Sequence, residues 1–188
     1  YSEDSFYLDE RNSFGSNDFY SNYTALSGTK NNFGHYSYFH HRQSQGFRAL
    51  NSQYDLYSGG SKIIYTQDPS SRWIGAVDLY NEEHGEPGGL TRANFDDELN
   101  QNMTTRSNDH FELNRYAASL GYENDFSENT KLDTKGYFVN YERLSWRQRG
   151  GGFGTLPSGS NAATNDIQKQ YFYTGGLETR LRHDYSTF

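Results

Sequence analysis

The chain has 188 residues, no cysteine and a formal net charge of -7, which excludes disulfides and thiolate metal centres and argues against nucleic acid as a partner. Hydrophobic residues make up 32%, and even with the 19 glycines the apolar share stays below the roughly 45–50% of a soluble globular domain. Yet 17 Tyr, 13 Phe and 2 Trp are more aromatic mass than a disordered chain carries, so a fold is expected that buries little aliphatic material. The sequence starts at Tyr1 with no basic stretch leading into an apolar run, so no signal peptide is read and the chain is expected to be a processed product or a piece of something longer. No apolar run reaches the roughly 18 residues of a transmembrane helix, which leaves transmembrane strands open.

Taken in chain order, period-2 alternation predicts about eight strands, near Ser5–Ser13, Asp18–Ser27, Gly34–Arg42, Gln53–Thr66, Arg72–Glu82, Phe111–Glu123, Thr130–Arg143 and Tyr171–Arg182. The last four are the clearest. Trp73, Val77 and Leu79 oppose Arg72, Asp78 and Glu82. Tyr116, Ala118, Leu120 and Tyr122 oppose Arg115, Ser119 and Glu123. Leu132, Thr134, Gly136 and Phe138 oppose Lys131, Asp133 and Lys135. Tyr171, Tyr173, Leu177 and Leu181 oppose Glu178, Arg180 and Arg182. Ile74, Tyr80 and Val139 break the rule by falling on the charged side, and the second and fourth strands read ambiguously.

Asn31–Asn32, Asp68–Ser71 and Asn124–Asn129 read as short turns, whereas 43–52, 83–110 and 144–170 are long links. Short and long alternate, so the long links share one edge, as in barrels with short periplasmic turns and long extracellular loops. Pro69, Pro87 and Pro157 all fall in connections, where no ladder hydrogen bond is lost. The polar faces are too charged to form a dry core, because each unpaired buried charge costs several kcal/mol. A wet interior with lipid outside removes that cost. The fold class expected is therefore all-β, an antiparallel transmembrane β-barrel segment spanning 1–188. A soluble sheet with one wet and one packed face is the alternative.

Several segments carry a resemblance. Ser44-Gln45-Gly46-Phe47-Arg48 is followed by Asn51 and Tyr54, then by Tyr80-Asn81-Glu82-Glu83-His84-Gly85-Glu86-Pro87-Gly88-Gly89-Leu90-Thr91. Asn108-Asp109-His110-Phe111 with Arg115, and Ala118-Ser119-Leu120-Gly121-Tyr122-Glu123, complete the set. Over about Ser27 to Leu181 the chain resembles the TonB-dependent outer-membrane receptors, in their ferric-citrate-receptor-like branch. The resemblance implies a parent barrel of about 22 strands closed by a plug domain. It also implies a location in the bacterial outer membrane, a ferric siderophore or iron chelate as ligand, contact with outer-membrane lipid and lipopolysaccharide, and uptake driven through TonB, ExbB and ExbD. No plug domain and no TonB-box segment is read in these residues, about eight strands cannot close such a barrel, and Phe188 reads as a truncation point.

Arg42, Arg48, Arg106, Arg143, Arg147 and Arg149 lie in or beside the long links, with His40 and His41. Planar guanidinium forks suit anionic, carboxylate-rich chelates, so these arginines are candidate ligand contacts; pairing with local acids or lipid phosphates is the plain alternative. Neighbours on a strand point to opposite faces, so His40 and His41 are not expected to share a metal. Asp96-Asp97-Glu98 reads as a solvated acidic run rather than a Ca²⁺ site. Gly150-Gly151-Gly152-Phe153-Gly154 lacks the strand–glycine–helix setting and the Lys-Ser/Thr pair of a phosphate loop, and is expected to be mobile. No metal site, cofactor or catalytic arrangement is expected, and no enzyme. Competing with chelate import are a complete small eight-stranded barrel with an adhesin or structural role, and a soluble carbohydrate-binding β-module.

Overall fold

The computed structural model describes residues 6–160 and 162–185. They form eight strands: β1 (Tyr7–Gly15), β2 (Phe19–Lys30), β3 (Phe33–Ser44), β4 (Tyr54–Asp68), β5 (Ser71–Gly85), β6 (His110–Ser127), β7 (Thr130–Gln148) and β8 (Asn165–His183). All eight lie in one antiparallel sheet, each pairing with its neighbours in sequence. Among the described residues β1 and β8 do not pair, so the sheet is not closed. The complete eight-stranded barrel is overturned by that open edge. The start of the first expected strand, Ser5, and the expected truncation point, Phe188, lie outside the described residues.

The short turns follow from local chemistry. Asn17, Asp18 and Asn31 adopt positive φ (58°, 54° and 52°), a region that Asn and Asp tolerate better than other side-chain-bearing residues. The Asp68 carboxylate accepts hydrogen bonds from Ser70 N (2.8 Å), Ser70 Oγ (2.7 Å) and Ser71 Oγ (2.6 Å) and so folds the β4–β5 turn around Pro69. The links 45–53, 86–109 and 149–164 share the opposite edge, together with the short Ser16–Asp18 turn, which the alternation of link lengths did not anticipate. One helical turn, α1 (Arg92–Asp96), sits in the second link, capped by Thr91 Oγ1 accepting from Asn94 N at 3.2 Å.

The last strands are longer than expected. The ladder continues through Leu144↔Lys169, Trp146↔Ile167 and Gln148↔Asn165, so the third link shrinks from 144–170 to 149–164. The reason is physical: alternation reports where one face meets an apolar phase, and backbone pairing needs no such boundary. At 19 residues, β7 and β8 each run about 60 Å, twice the roughly 30 Å of a bilayer's hydrocarbon.

The register sorts side chains onto two faces. Phe33, Tyr65, Trp73 and Tyr122 are successive cross-strand partners near the short-turn edge, with ring centroids 4.8 Å apart for Phe33–Tyr65 and 4.6 Å for Trp73–Tyr122. Above them on the same face stand Ile63, Val77, Leu79, Ala118, Leu120, Phe138 and Leu177, followed by Tyr57, Tyr116 and Tyr173. Asn81, Asn114, Asn140, Glu83 and Glu142 follow on that face toward the long links. The reverse face carries Arg72, Glu123, Asp133 and Arg180 in one cross-strand row. Nothing covers the apolar face. Ala25, 5% exposed, is the only buried hydrophobic among the described residues, whereas Leu177 is 76% exposed. Among the described residues the sheet has no packed hydrophobic interior.

Candidate ligand-facing wall and loop cap

Toward the long-link edge the polar face presents two cross-strand rows. One runs Ser21, Arg42, Leu56, Glu82, Leu113, Arg143, Gln170. The next, one pleat nearer the short turns, runs Tyr23, His40, Ser58, Tyr80, Arg115, Tyr141, Phe172. Strand periodicity puts these residues on one face, and antiparallel register sets them side by side. The wall thus combines three guanidinium groups, three phenols and one carboxylate.

The six arginines singled out by sequence have different fates. Arg42 lies over the rings of Phe19 (5.3 Å) and Tyr54 (5.5 Å) and donates Nε–H to the Tyr54 hydroxyl at 3.1 Å. Arg143 lies over Phe111 at 5.1 Å. Neither has a carboxylate partner among the described residues, so most of their N–H donors stay open. Arg115, which sequence reasoning did not select, also has no ion pair among the described residues. Its signal was available, a cation on the charged face of a strand, but it lies inside that strand rather than beside a long link, and its flanking Tyr80 and Tyr141 come from other strands.

The other four hold the loops together. Arg48 donates to Met103 O (2.8 Å) and Gly88 O (3.1 Å), and burial pulls its guanidinium below the usual arginine range. Arg106 donates to Thr155 O (2.7 Å) and Gly152 O (3.0 Å). Arg147 pairs with Glu86 and lies 3.7 Å from Asp109. Arg149 pairs with Asp166 through Nε at 2.7 Å, and this hydrogen bond raises it above the usual arginine range. The expected mobile glycine run is therefore held by Arg106, and its positive φ values (78° at Gly150, 74° at Gly151, 70° at Gly154) serve turns.

The histidines sit at the roots of the loops. His41 meets Asp55 at 2.8 Å on the apolar face, while His40 contacts Ser21 at 3.1 Å on the polar face, so the two point apart. His84 Nδ1 lies 2.9 Å from Glu82 Oε1. Glu82 also accepts from Tyr80 at 2.5 Å, so the wall's carboxylate is engaged. No cluster of three or more metal-ligating side chains is present among the described residues. Asp96 pairs with Arg92 at 2.7 Å and Asp97 caps the chain at Leu99 and Asn100, which leaves that acidic run a loop structure.

Against solved structures, the chain aligns with the crystal structure of the ferric citrate transporter FecA in its unliganded form, with a TM-score of 0.75 and 20% sequence identity. The sheet is similar to a segment of that transporter's barrel. The alignment covers 97% of this chain and 26% of that one, so the chain spans about a quarter of the transporter's length. At this identity the likeness shows the fold alone. No family model matches the chain, and no curated protein matches it in sequence.

Proposed function

We propose that the chain forms wall and outer loops of a bacterial outer-membrane receptor that binds and imports a ferric chelate. The observation that carries this is the unpartnered apolar face. In water, Val77, Leu79, Leu120, Phe138, Leu177 and Leu181 would forgo on the order of 10 kcal/mol of burial, which rivals the whole stability of a domain. Hydrocarbon restores that term, and the aromatic rows at both margins suit the two interfaces. The charged reverse face then borders a water-filled interior, and the long links face the outside. An open sheet edge cannot stand in lipid, so further strands of a parent receptor complete the barrel. A ferric chelate is proposed as the cargo because the similar barrel belongs to a ferric citrate transporter and the wall presents cations to an anionic ligand.

On this reading Arg42, Arg115 and Arg143 present cations to an anionic chelate inside the wall, and Tyr80 and Tyr141 flank them. Energy for uptake comes through TonB, ExbB and ExbD, acting on parts of the parent. The test is growth of the host on defined iron sources, with the gene deleted and restored, alongside uptake of labelled ferric citrate. Loss of growth and uptake on deletion supports the reading. Unchanged uptake of every iron source tried, with the protein located in the outer membrane, removes iron import and leaves the wall.

A further inference from the structure

Asn51 belongs to the first long link and sits at φ 58°. Its Nδ2 donates to Asp109 O (2.6 Å), Arg106 O (2.8 Å) and Glu86 O (3.3 Å). These three carbonyls lie at the two ends of the second link, so one side-chain amide from a neighbouring loop closes the neck of a 24-residue excursion, 86–109. The fit leaves no slack. A Cβ on Gly85 would stand 2.3 Å from Asn51 Oδ1 and 2.7 Å from its carbonyl, so residue 85 must be glycine for the amide to enter.

The same neck is braced from within and tied onward. Thr105, 1% exposed, donates Oγ1–H to Gly89 O at 2.9 Å, and its backbone N–H reaches Pro87 O at 2.8 Å. Arg106, whose carbonyl Asn51 holds, carries the tie to Gly152 O and Thr155 O in the third link. Asp109, also held by its carbonyl, accepts from Gln148 N at 2.6 Å beside Arg147. On the first link's side, Ala49 N donates to Asn102 O (2.6 Å) and Leu50 N to Thr104 Oγ1 (2.9 Å).

We infer that Asn51 is a clasp which makes the three long links a single cap, opening together or not at all. All three of its partners are half-buried or buried backbone carbonyls. Asp109 O keeps the Glu86 N–H at 3.1 Å when the amide goes, but leaving the Glu86 and Arg106 carbonyls without the amide is costly. Releasing Asn51 therefore frees both ends of the second link from the first at once, leaving only their own backbone pairing (Glu86 N to Asp109 O, 3.1 Å), and through Arg106 and Asp109 it loosens the third. The inference stands on the ties themselves and holds whatever the protein carries.

The test is amide hydrogen exchange of the intact protein in detergent micelles, wild type against Asn51→Gly, which permits the left-handed backbone and removes the side chain with its amide. In the wild type, Ala49, Thr105, Arg106 and Arg149 are expected to exchange with one common opening equilibrium. In Asn51→Gly their protection should fall together by about a hundredfold. Asn51→Asp, which keeps the shape but cannot donate, should match it. Separate opening equilibria in the wild type, or lost protection confined to residues 45–53 in the variants, would overturn the clasp.

Discussion

The ring of Tyr38 lies over Gly60 on the neighbouring strand, with Cε1 2.7 Å from where a Cβ of Gly60 would be. Tyr137 covers Gly176 in the same way at 2.6 Å, and on the opposite face Phe39 and Phe138 lean on Gly59 and Gly175 at 3.8 Å. A Tyr-Phe pair facing a Gly-Gly pair thus occurs twice, at β3–β4 and at β7–β8. Gly60→Ala and Gly176→Ala should each destabilise by about 1–3 kcal/mol, because the added methyl displaces a seated ring. Gly75→Ala and Gly136→Ala, with nothing within 4 Å of the new Cβ, should be neutral or slightly stabilising. Urea unfolding of the intact protein in micelles separates the two pairs.

Sidedness is open to a direct challenge. Val77→Arg, in the middle of the apolar face, should cost about 2–4 kcal/mol on folding into lipid vesicles. Its cross-strand neighbour pair on the other face offers the control: Ala117→Arg, facing Asp78, should fold nearly as the wild type does. Equal yields for both variants would mean that lipid does not meet the Val77 face.

The β4–β5 turn carries a pH dependence whose sign follows from its hydrogen bonds. The hydroxyl of Ser71, then the hydroxyl and N–H of Ser70, hold the Asp68 carboxyl below the usual carboxylate range. A depressed folded value means that the stabilisation is fully present above the unfolded value of about 3.9 and is lost as pH falls through the folded one. Asp68→Asn should therefore lower the unfolding midpoint at neutral pH and make no difference in strong acid. A pH series of denaturant titrations on the two proteins is the check.

The arginines should fall into two groups. Arg42→Ala and Arg143→Ala are expected to weaken binding of an anionic ferric chelate by about tenfold each, with little effect on the loops. Arg48→Ala and Arg106→Ala remove donors to five carbonyls between them, and should instead open the loops to protease. Chelate affinity and limited proteolysis, measured on all four variants, distinguish ligand contacts from loop struts.

Much of the sheet was legible because strands with one apolar and one charged face follow a strict rule, and Trp73, Val77 and Leu79 obey it. Pro69 beside Asp68 marked its turn for the same reason of local chemistry. The β2 and β4 strands were harder, since Gly59 and Gly60 take their meaning from Tyr38 and Phe39 on another strand. Beyond Asn140 the alternation lapses while the ladder goes on, so the ends of β7 and β8 read as loop. The arginines were found as a set and could not be divided, because Arg106 and Arg143 differ only in what surrounds them. Asn51 was noticed among the residues that carry the resemblance, but its partners are carbonyl oxygens, which every residue has and no residue type announces.

The overhang of the last strands has a geometric outcome. From Asn140 to Gln148 the paired backbone rises a further 27 Å or so, about 20 Å of height at a 45° tilt. If the apolar face meets lipid as proposed, the loops are carried on a paired palisade clear of the headgroups. In that setting whatever approaches from the medium would meet them before the membrane, and changes in bilayer thickness would reach them only through the paired strands.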